Sequence, residues 1–157
     1  MKILHLSHYN PPEKPRTLGI FSTKEILTDN IDKYIKLSGF KSHPEIMEKD
    51  PGPDDGGFFI QELTIDEFAF RTLATKSQIL KNALVFVLSF RKTDSEGNLS
   101  ISLIGAWSDP KFARQYAIKL KKRHEYAGSE ILEDSDIKDG FLLTEIKIDN
   151  PDWTDGF

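Results

Sequence analysis

Two halves of this chain carry the same short sequence blocks in the same order. The matching pairs are residues 3–8 with 85–90, 18–22 with 104–108, and 57–66 with 140–149. The last pair aligns without a gap, and five of its ten positions are identical, namely Gly, Phe, Glu, Ile and Asp. Fixed glycine and serine positions are harder to explain by chance than apolar alternation. The pattern therefore indicates a tandem duplication, which restricts the chain to folds that one small unit can build twice.

Each copy reads as strand, strand, helix, strand. Residues 85–90 form a short, continuous apolar run typical of a buried strand, and turn-forming residues follow at 93–98. The second strand of each copy has a glycine near its middle, Gly19 or Gly105, which indicates a bulge or a close approach of the helix. The sequence therefore predicts two β-β-α-β units.

Helix starts are marked by capping residues. Ser22 or Thr23 is predicted to cap the first helix, and Ser108 or Asp109 the second, where Pro110 takes the favoured first position. Apolar stripes at helical spacing are predicted to face the sheet. They comprise Ile26, Leu27, Ile31, Tyr34 and Ile35 in the first helix, and Phe112, Ala113, Tyr116, Ala117 and Leu120 in the second.

The final strand of each copy alternates. Phe59, Leu63 and Ile65 are predicted to share one face, and the second copy repeats this pattern. We expect an α+β fold in which residues 1–67 and 83–157 form one pseudo-twofold domain with a shared core. Its sheet is antiparallel-rich, with the helices on one face, and residues 68–82 form a linker with helical character.

Composition excludes several classes of protein. The absence of cysteine rules out disulfide scaffolds, thiol nucleophiles and thiolate metal sites. With 21 basic and 25 acidic side chains the net charge is −4, which argues against binding to nucleic acid phosphates. No apolar run reaches membrane-spanning length, and the N-terminal apolar stretch is too short for a signal peptide. We therefore expect a cytoplasmic protein without a cofactor, and neither nucleic acid nor membrane as a partner.

Several short motifs resemble those of a family of small bacterial domains of unknown function. Members carry a Leu-Ile-Gly-Val-Tyr-Ser segment before a helix, a Gly-Phe and a His-Pro pair after it, and a Trp-x-Glu-Gly-Phe ending. Here residues 18–22 match the first motif, Gly39-Phe40 and His43-Pro44 match the pairs, and residues 153–157 match the ending with Asp155 in place of Glu. The resemblance implies a tandem pair of such domains and carries no established activity.

The histidines form no strong catalytic or metal-binding pattern. His5 and Ser7 form a His-x-Ser, as in two-histidine phosphoesterases, but Val87 takes the place of the second histidine. The odd spacing of His5 and His8 on a strand sends them to opposite faces. His43 and His124 have no ligand spacing. A degenerate phosphoesterase is therefore the third function considered, and structural histidines are preferred.

Two acidic loops, 39–57 and 127–140, separate each helix from its last strand. Neither has the spacing of a calcium loop, so no metal is expected. The residues that we predict to contact a partner are Glu130, Glu133, Asp134, Asp136, Asp139, Asp54 and Asp55. The cations Lys119, Lys121, Lys122 and Arg123 complement the dipole at the end of the second helix.

The preferred function is a non-enzymatic protein-binding module, most specifically a cytoplasmic immunity protein that covers a basic bacterial toxin. Acidic loops on a rigid sheet suit that task because they attract a basic cleft. The alternative is a small-ligand or sensing module that uses a groove between the repeats, with Trp107, Tyr116 and Trp153 as apolar walls. Core packing is the competing explanation for these aromatic residues.

Overall fold

The computed structural model describes residues 1–13, 15–48, 51–52, 54–65, 83–97, 99–132 and 139–151. The first copy contains β1 (Lys2–Tyr9), β2 (Arg16–Phe21), α1 (Lys24–Tyr34), β3 (Ile46–Met47) and β4 (Gly57–Thr64). The second copy contains β5 (Leu84–Thr93), β6 (Leu99–Trp107), α2 (Pro110–Leu120), a 3₁₀ helix (His124–Tyr126), β7 (Glu130–Leu132) and β8 (Gly140–Lys147). The fold is α+β, as predicted, and both copies are β-β-α-β-like, each with one additional short strand before the last strand.

Two four-stranded sheets have the same order. The sheet of the first copy runs β2-β1-β4-β3, and that of the second runs β6-β5-β8-β7. In each sheet the hairpin is antiparallel and the short edge strand pairs parallel to the last strand. Both hairpins shift register at the same place, opposite the strand glycine. The glycine-marked irregularity expected from the sequence is confirmed.

The described residues fall into two compact units, each of which takes a short segment from the other copy's sequence. The first-repeat unit contains residues 2–63, Ala83 and 147–151, and the second-repeat unit contains Met1, 64–65, 84–132 and 139–146. In the first-repeat unit, Ile148 bridges Ile20 of β2 in parallel. The second-repeat unit has the corresponding bridge between Ile65 and Ala106. The pseudo-twofold arrangement, the shared core and the repeat boundaries at 67 and 83 stay predictions.

Helix α1 closes an aromatic-rich core in the first-repeat unit. Its buried members are Leu6, Leu18, Phe21, Leu27, Ile31, Tyr34, Phe40 and Phe58. Phe40 and Phe58 stack with their ring centroids 5.8 Å apart, and Tyr34 contacts both rings. The helix stripe is confirmed, since Leu27, Ile31 and Tyr34 are buried while Ile26 and Ile35 pack at the margin. Thr23 provides the predicted N-cap.

Helix α2 covers a smaller core in the second-repeat unit. Leu88, Ala117, Leu120 and Phe141 are its buried members. Asp109 caps the helix and Pro110 follows, as predicted. The predicted stripe is wrong at two positions, because Phe112 and Tyr116 are exposed. The helix presents the small residues Ala113 and Ala117 to the sheet instead, and the aromatic residues lie on its flank.

The buried positions of the last strand in the first copy also differ from the prediction. Leu63 in β4 and Ile65 directly after it are buried on the predicted face, but Phe58 on the opposite face is fully buried against α1. The strand therefore contributes to the helix-side core at its beginning and to the other face at its end. The short edge strands β3 and β7 lie in segments that the sequence predicts as loops. The predicted linker helix within 68–82 lies outside the described residues.

Candidate functional site: an acidic sheet edge

Exposed carboxylates cluster around the edge strand of the first-repeat unit. Glu45 and Glu48 flank β3, and Asp54 and Asp55 precede β4. All four residues are at least partly exposed. Together with Ile46 they form what we call the acidic edge. Residues 45–55 contain five acids and one lysine, so this segment is strongly negative.

Backbone contacts fix the acidic edge to the sheet. The Phe58 N–H donates to the Glu45 carbonyl at 2.7 Å, and Ile46 and Met47 pair with Phe58 and Phe59 in parallel register. The Gly52 N–H donates to Asp55 Oδ2 at 2.7 Å, which closes the turn before β4. Asp55 therefore has a structural role as well as a charge.

The surface between these carboxylates is partly apolar. An open depression of about 280 Å³ is lined by Met47, Glu48, Asp55 and Gly56. Ile46, which precedes Met47 in β3 and lies on the opposite face of the strand, has 51% of its surface exposed, which is high for an isoleucine in a strand. Exposed apolar surface bordered by polar groups is a feature of protein-binding sites.

A structural explanation accounts for part of this charge. Edge strands expose unpaired backbone groups, and charged side chains there discourage pairing with other chains. The described residues contain no group of three or more His, Asp or Glu side chains that could hold a metal ion. The carboxylates are therefore spread over a surface, an arrangement that can attract a positively charged macromolecule.

The second-repeat unit places one predicted acid on the corresponding edge strand and another beside β5. Glu130 begins β7 and is exposed. Asp139 Oδ1 accepts hydrogen bonds from the Thr93 N–H at 2.9 Å and the Thr93 hydroxyl at 2.8 Å, so it tethers the end of β5. The predicted partner contacts Glu133, Asp134 and Asp136 lie outside the described residues.

Two of the three predicted groove residues contact each other. The rings of Trp107 and Tyr116 lie 5.3 Å apart, with Trp107 half-buried and Tyr116 exposed. Trp153 lies outside the described residues. A ligand groove formed by all three residues stays a prediction.

His5 is held in a buried position. It is 5% exposed, and Nε2 of its ring lies 3.2 Å from Thr17 Oγ1. Burial lowers the pKa of His5 to about 4, so the ring is neutral near pH 7. The Ser7 hydroxyl donates to the Phe59 carbonyl at 3.5 Å. Val87 occupies the matching register position in β5, opposite Ala106 as His5 is opposite Ile20.

His8 belongs to the aromatic core. Its ring meets Phe40 and Phe58 edge-on at 4.8 and 4.7 Å, and Nε2 lies 2.9 Å from the His43 carbonyl. Burial lowers the pKa of His8. The hydrogen bond to the His43 backbone opposes this shift, and electrostatic repulsion from His43 and Arg16 adds to it. His5 and His8 point to opposite faces of β1, as their odd spacing predicts.

Sequence reasoning found Asp54 and Asp55 but missed Glu45, Ile46 and Glu48. Their importance depends on β3, a two-residue strand with no apolar alternation to reveal it. The available signal was the glutamate pair that flanks Ile46 and Met47 shortly before the acidic turn.

Among the described residues, neither helix has the length and the apolar content that a membrane crossing requires. Comparisons with protein-family models, curated proteins and solved structures return no match for this chain.

Proposed function

We propose that this chain is a non-enzymatic protein-binding module that acts in the cytoplasm as an immunity or inhibitor protein and covers a basic bacterial toxin. The observation that carries the proposal is the acidic edge, where the exposed carboxylates Glu45, Glu48, Asp54 and Asp55 occur together with the exposed Ile46. This surface combines an apolar contact with a strong local charge, which is what a basic protein surface would match.

The carboxylates and the apolar surface of the acidic edge have different physical roles. The carboxylates accelerate encounter with a positively charged partner, and salt screens this effect beyond a distance of about 10 Å at 0.1 M ionic strength. Ile46 and the depression lined by Met47 provide apolar area, which supports the lifetime of the complex. Covering a toxin requires no bond to be made or broken.

The test is affinity capture from the native host with tagged wild type and a charge-neutralised variant, E45Q/E48Q/D54N. Asp55 is left in place because it holds the turn at Gly52. We expect wild type to retain a stoichiometric basic protein, and the variant to bind it at least about tenfold more weakly, since each rim charge contributes a fraction of a kcal/mol and several are lost together. High salt is expected to reduce the difference.

The matched control is D29N/D32N/E96Q, which removes the same charge from exposed positions outside the acidic edge. It is expected to bind as wild type does. Equal binding by the neutralised variant and wild type overturns the role of the acidic edge. A captured protein that is not toxic when expressed alone overturns the toxin assignment.

A further inference from the structure

The helix of the second repeat carries exposed aromatic residues that its own core does not use. Phe112 and Tyr116 are 43% and 39% exposed, and they lie one turn apart on α2. Tyr116 contacts the half-buried Trp107. We call Trp107, Phe112 and Tyr116 the aromatic stripe. Buried Ala113 and Ala117 make the contact with the sheet, so the two helix aromatics are not required to close the core.

The first repeat provides an internal comparison. Aligning Ser22 with Ser108 places Ile26 opposite Phe112 and Asn30 opposite Tyr116. In α1, Ile26 packs against the core, and Asn30 is buried with its side-chain amide donating to the Ile26 carbonyl at 2.7 Å. The same fold therefore forms with a polar side chain where α2 exposes a tyrosine. The difference points to a role for the stripe outside the fold.

The helix that carries the stripe is net positive, and Asp109 at its N-cap is the acid nearest to the stripe in sequence. Residues 110–124 contain six lysines and arginines and no aspartate or glutamate. Lys119, three residues after Tyr116, is exposed beside the stripe. Tyrosine and tryptophan are enriched in the energetically important part of protein interfaces, and the surrounding basic groups add electrostatic attraction to an acidic partner. The chemistry matches an acidic partner with an apolar centre.

A protein is the occupant that fits this surface best. The other exposed apolar residue of α2, Ile118, lies roughly 160° from Tyr116 around the helix axis, so α2 has no single apolar face to lay on a membrane. A nucleic acid strand needs open aromatic faces for stacking, whereas the Tyr116 ring is already covered in part by Trp107.

The acidic edge of the same chain has the complementary composition. It offers four exposed carboxylates, an isoleucine that is 51% exposed (Ile46), and an open depression lined by Met47, Glu48, Asp55 and Gly56. We propose that the aromatic stripe of one copy docks on the acidic edge of a second copy. This self-association rests on the proposed function because it uses the same acidic edge, but it does not depend on which partner that edge binds. It would occupy the acidic edge until a basic partner displaces the second copy.

The experiment is sedimentation velocity of the purified 157-residue chain over a wide range of concentrations, at low and high salt. The stripe variant is F112I/Y116N, which installs the residues that α1 carries at these positions. The edge variant is E45Q/E48Q/D54N. The control is I118Q, which removes exposed apolar area from the opposite flank of α2. Circular dichroism and urea unfolding check that each variant is folded.

Wild type and I118Q are expected to associate with rising concentration and to dissociate in high salt. The stripe and edge variants are each expected to associate at least about tenfold more weakly. An equimolar mixture of the two variants is expected to recover association, because each supplies the surface that the other lacks. A monomeric wild type, unchanged association of either variant, or a mixture that stays monomeric overturns the proposal.

These outcomes are separable from the test of the proposed function. Capture of a toxin by the acidic edge requires only that edge, whereas self-association also requires the stripe. If F112I/Y116N captures the partner normally but fails to self-associate, both proposals stand. If wild type captures the partner and never self-associates, only the docking of a second copy is lost.

Discussion

His8 and Phe90 take the same position in the two repeats and show how one aromatic site accepts different chemistry. Phe90 contacts Tyr126 and Phe141 at 4.8 and 5.0 Å, in the way that His8 contacts Phe40 and Phe58. The histidine differs by having a polar edge, which lies 2.9 Å from the His43 carbonyl. This correspondence supports the preference for a structural rather than a catalytic histidine.

His5 makes the stability of the protein depend on pH. Its pKa is lowered to about 4 in the folded protein, from 6.5. Between these pH values the unfolded chain binds a proton at His5 that the folded chain does not bind. The free energy of unfolding is therefore unaffected by this group above about pH 6.5 and falls as the pH is lowered toward 4. One pKa unit corresponds to about 1.4 kcal/mol, so we expect a loss of roughly 3 kcal/mol from this group.

The measurement is the free energy of urea unfolding from pH 7.5 to pH 4 for wild type and His5→Val, which has the residue found at Val87. The variant is expected to lack this part of the pH dependence. Replacement of the exposed His124 by Gln is the control and is expected to preserve the wild-type profile. Identical profiles for wild type and His5→Val would assign the pH dependence to other groups.

At the scale of elements, the edge strands depend on the glycines that begin β4 and β8. Gly57 and Gly140 have φ values of +137° and +150°. A Cβ at these positions would lie 2.5 Å from the Glu45 carbonyl oxygen and 2.7 Å from that of Glu130. Both contacts involve backbone that cannot move without disturbing β3 or β7. A side chain at Gly57 would therefore disturb the strand that carries the acidic edge.

We expect Gly57→Ala to lower the free energy of unfolding by at least about 2 kcal/mol, because it combines backbone strain with a steric clash. Gly97→Ala is the matched control, since Gly97 also has a positive φ of +87° but no atom lies within 4 Å of the position that a Cβ would take there. That variant is expected to lose only about 1 kcal/mol. Equal losses of unfolding free energy in the two variants would show that the structure relieves the clash at Gly57 without losing stability.

At the scale of the whole molecule, the first-repeat unit is completed by residues from the end of the chain. Ile148 donates its N–H to the Ala83 carbonyl, and Asp149 donates its N–H to the Ile20 carbonyl, both at 2.9 Å. Asp149 also accepts hydrogen bonds from the Ser22 N–H at 2.7 Å and from its hydroxyl at 2.5 Å. These contacts cover the edge of β2 directly before α1 begins.

Asp149→Ala is expected to lower the free energy of unfolding by about 2 kcal/mol, because Ser22 loses its charged acceptor and Ala tolerates the φ of 57° poorly. Asp149→Asn keeps an acceptor and accepts positive φ more readily, so a smaller loss is expected. Urea unfolding measures the difference, and hydrogen exchange at the Ser22 amide locates it. Wild-type protection of that amide in the alanine variant would contradict the assignment.

The local order of the elements was readable from the sequence because its signals are local. Thr23, Asp109 and Pro110 mark helix starts by satisfying or omitting backbone N–H groups of the first turn, whatever the rest of the chain does. The apolar stripe of α1 and the strand glycines Gly19 and Gly105 carried equally local information. The duplicated blocks then established that the order occurs twice.

Two of the four carboxylates of the acidic edge were readable in the same way, since Asp54 and Asp55 stand in an obviously acidic turn. Ile46 and its neighbouring glutamates became part of it only because β3 pairs with β4, a contact between segments that are separated in sequence. A strand of two residues has no periodicity of its own, so its existence depends on the partner strand.

The sequence by itself determined the composition of each element, its capping and its repetition, because these depend on neighbours within a few residues. Tertiary structure decided which apolar side chains are covered. Phe58 is buried although it lies off the predicted apolar face of its strand, and Tyr116 is exposed although it continues the apolar stripe of α2, because the space beside a helix depends on how closely its small residues approach the sheet. Tertiary structure also decided that Asp149 binds Ser22, since a contact across 127 residues depends on the folded chain bringing its end to β2.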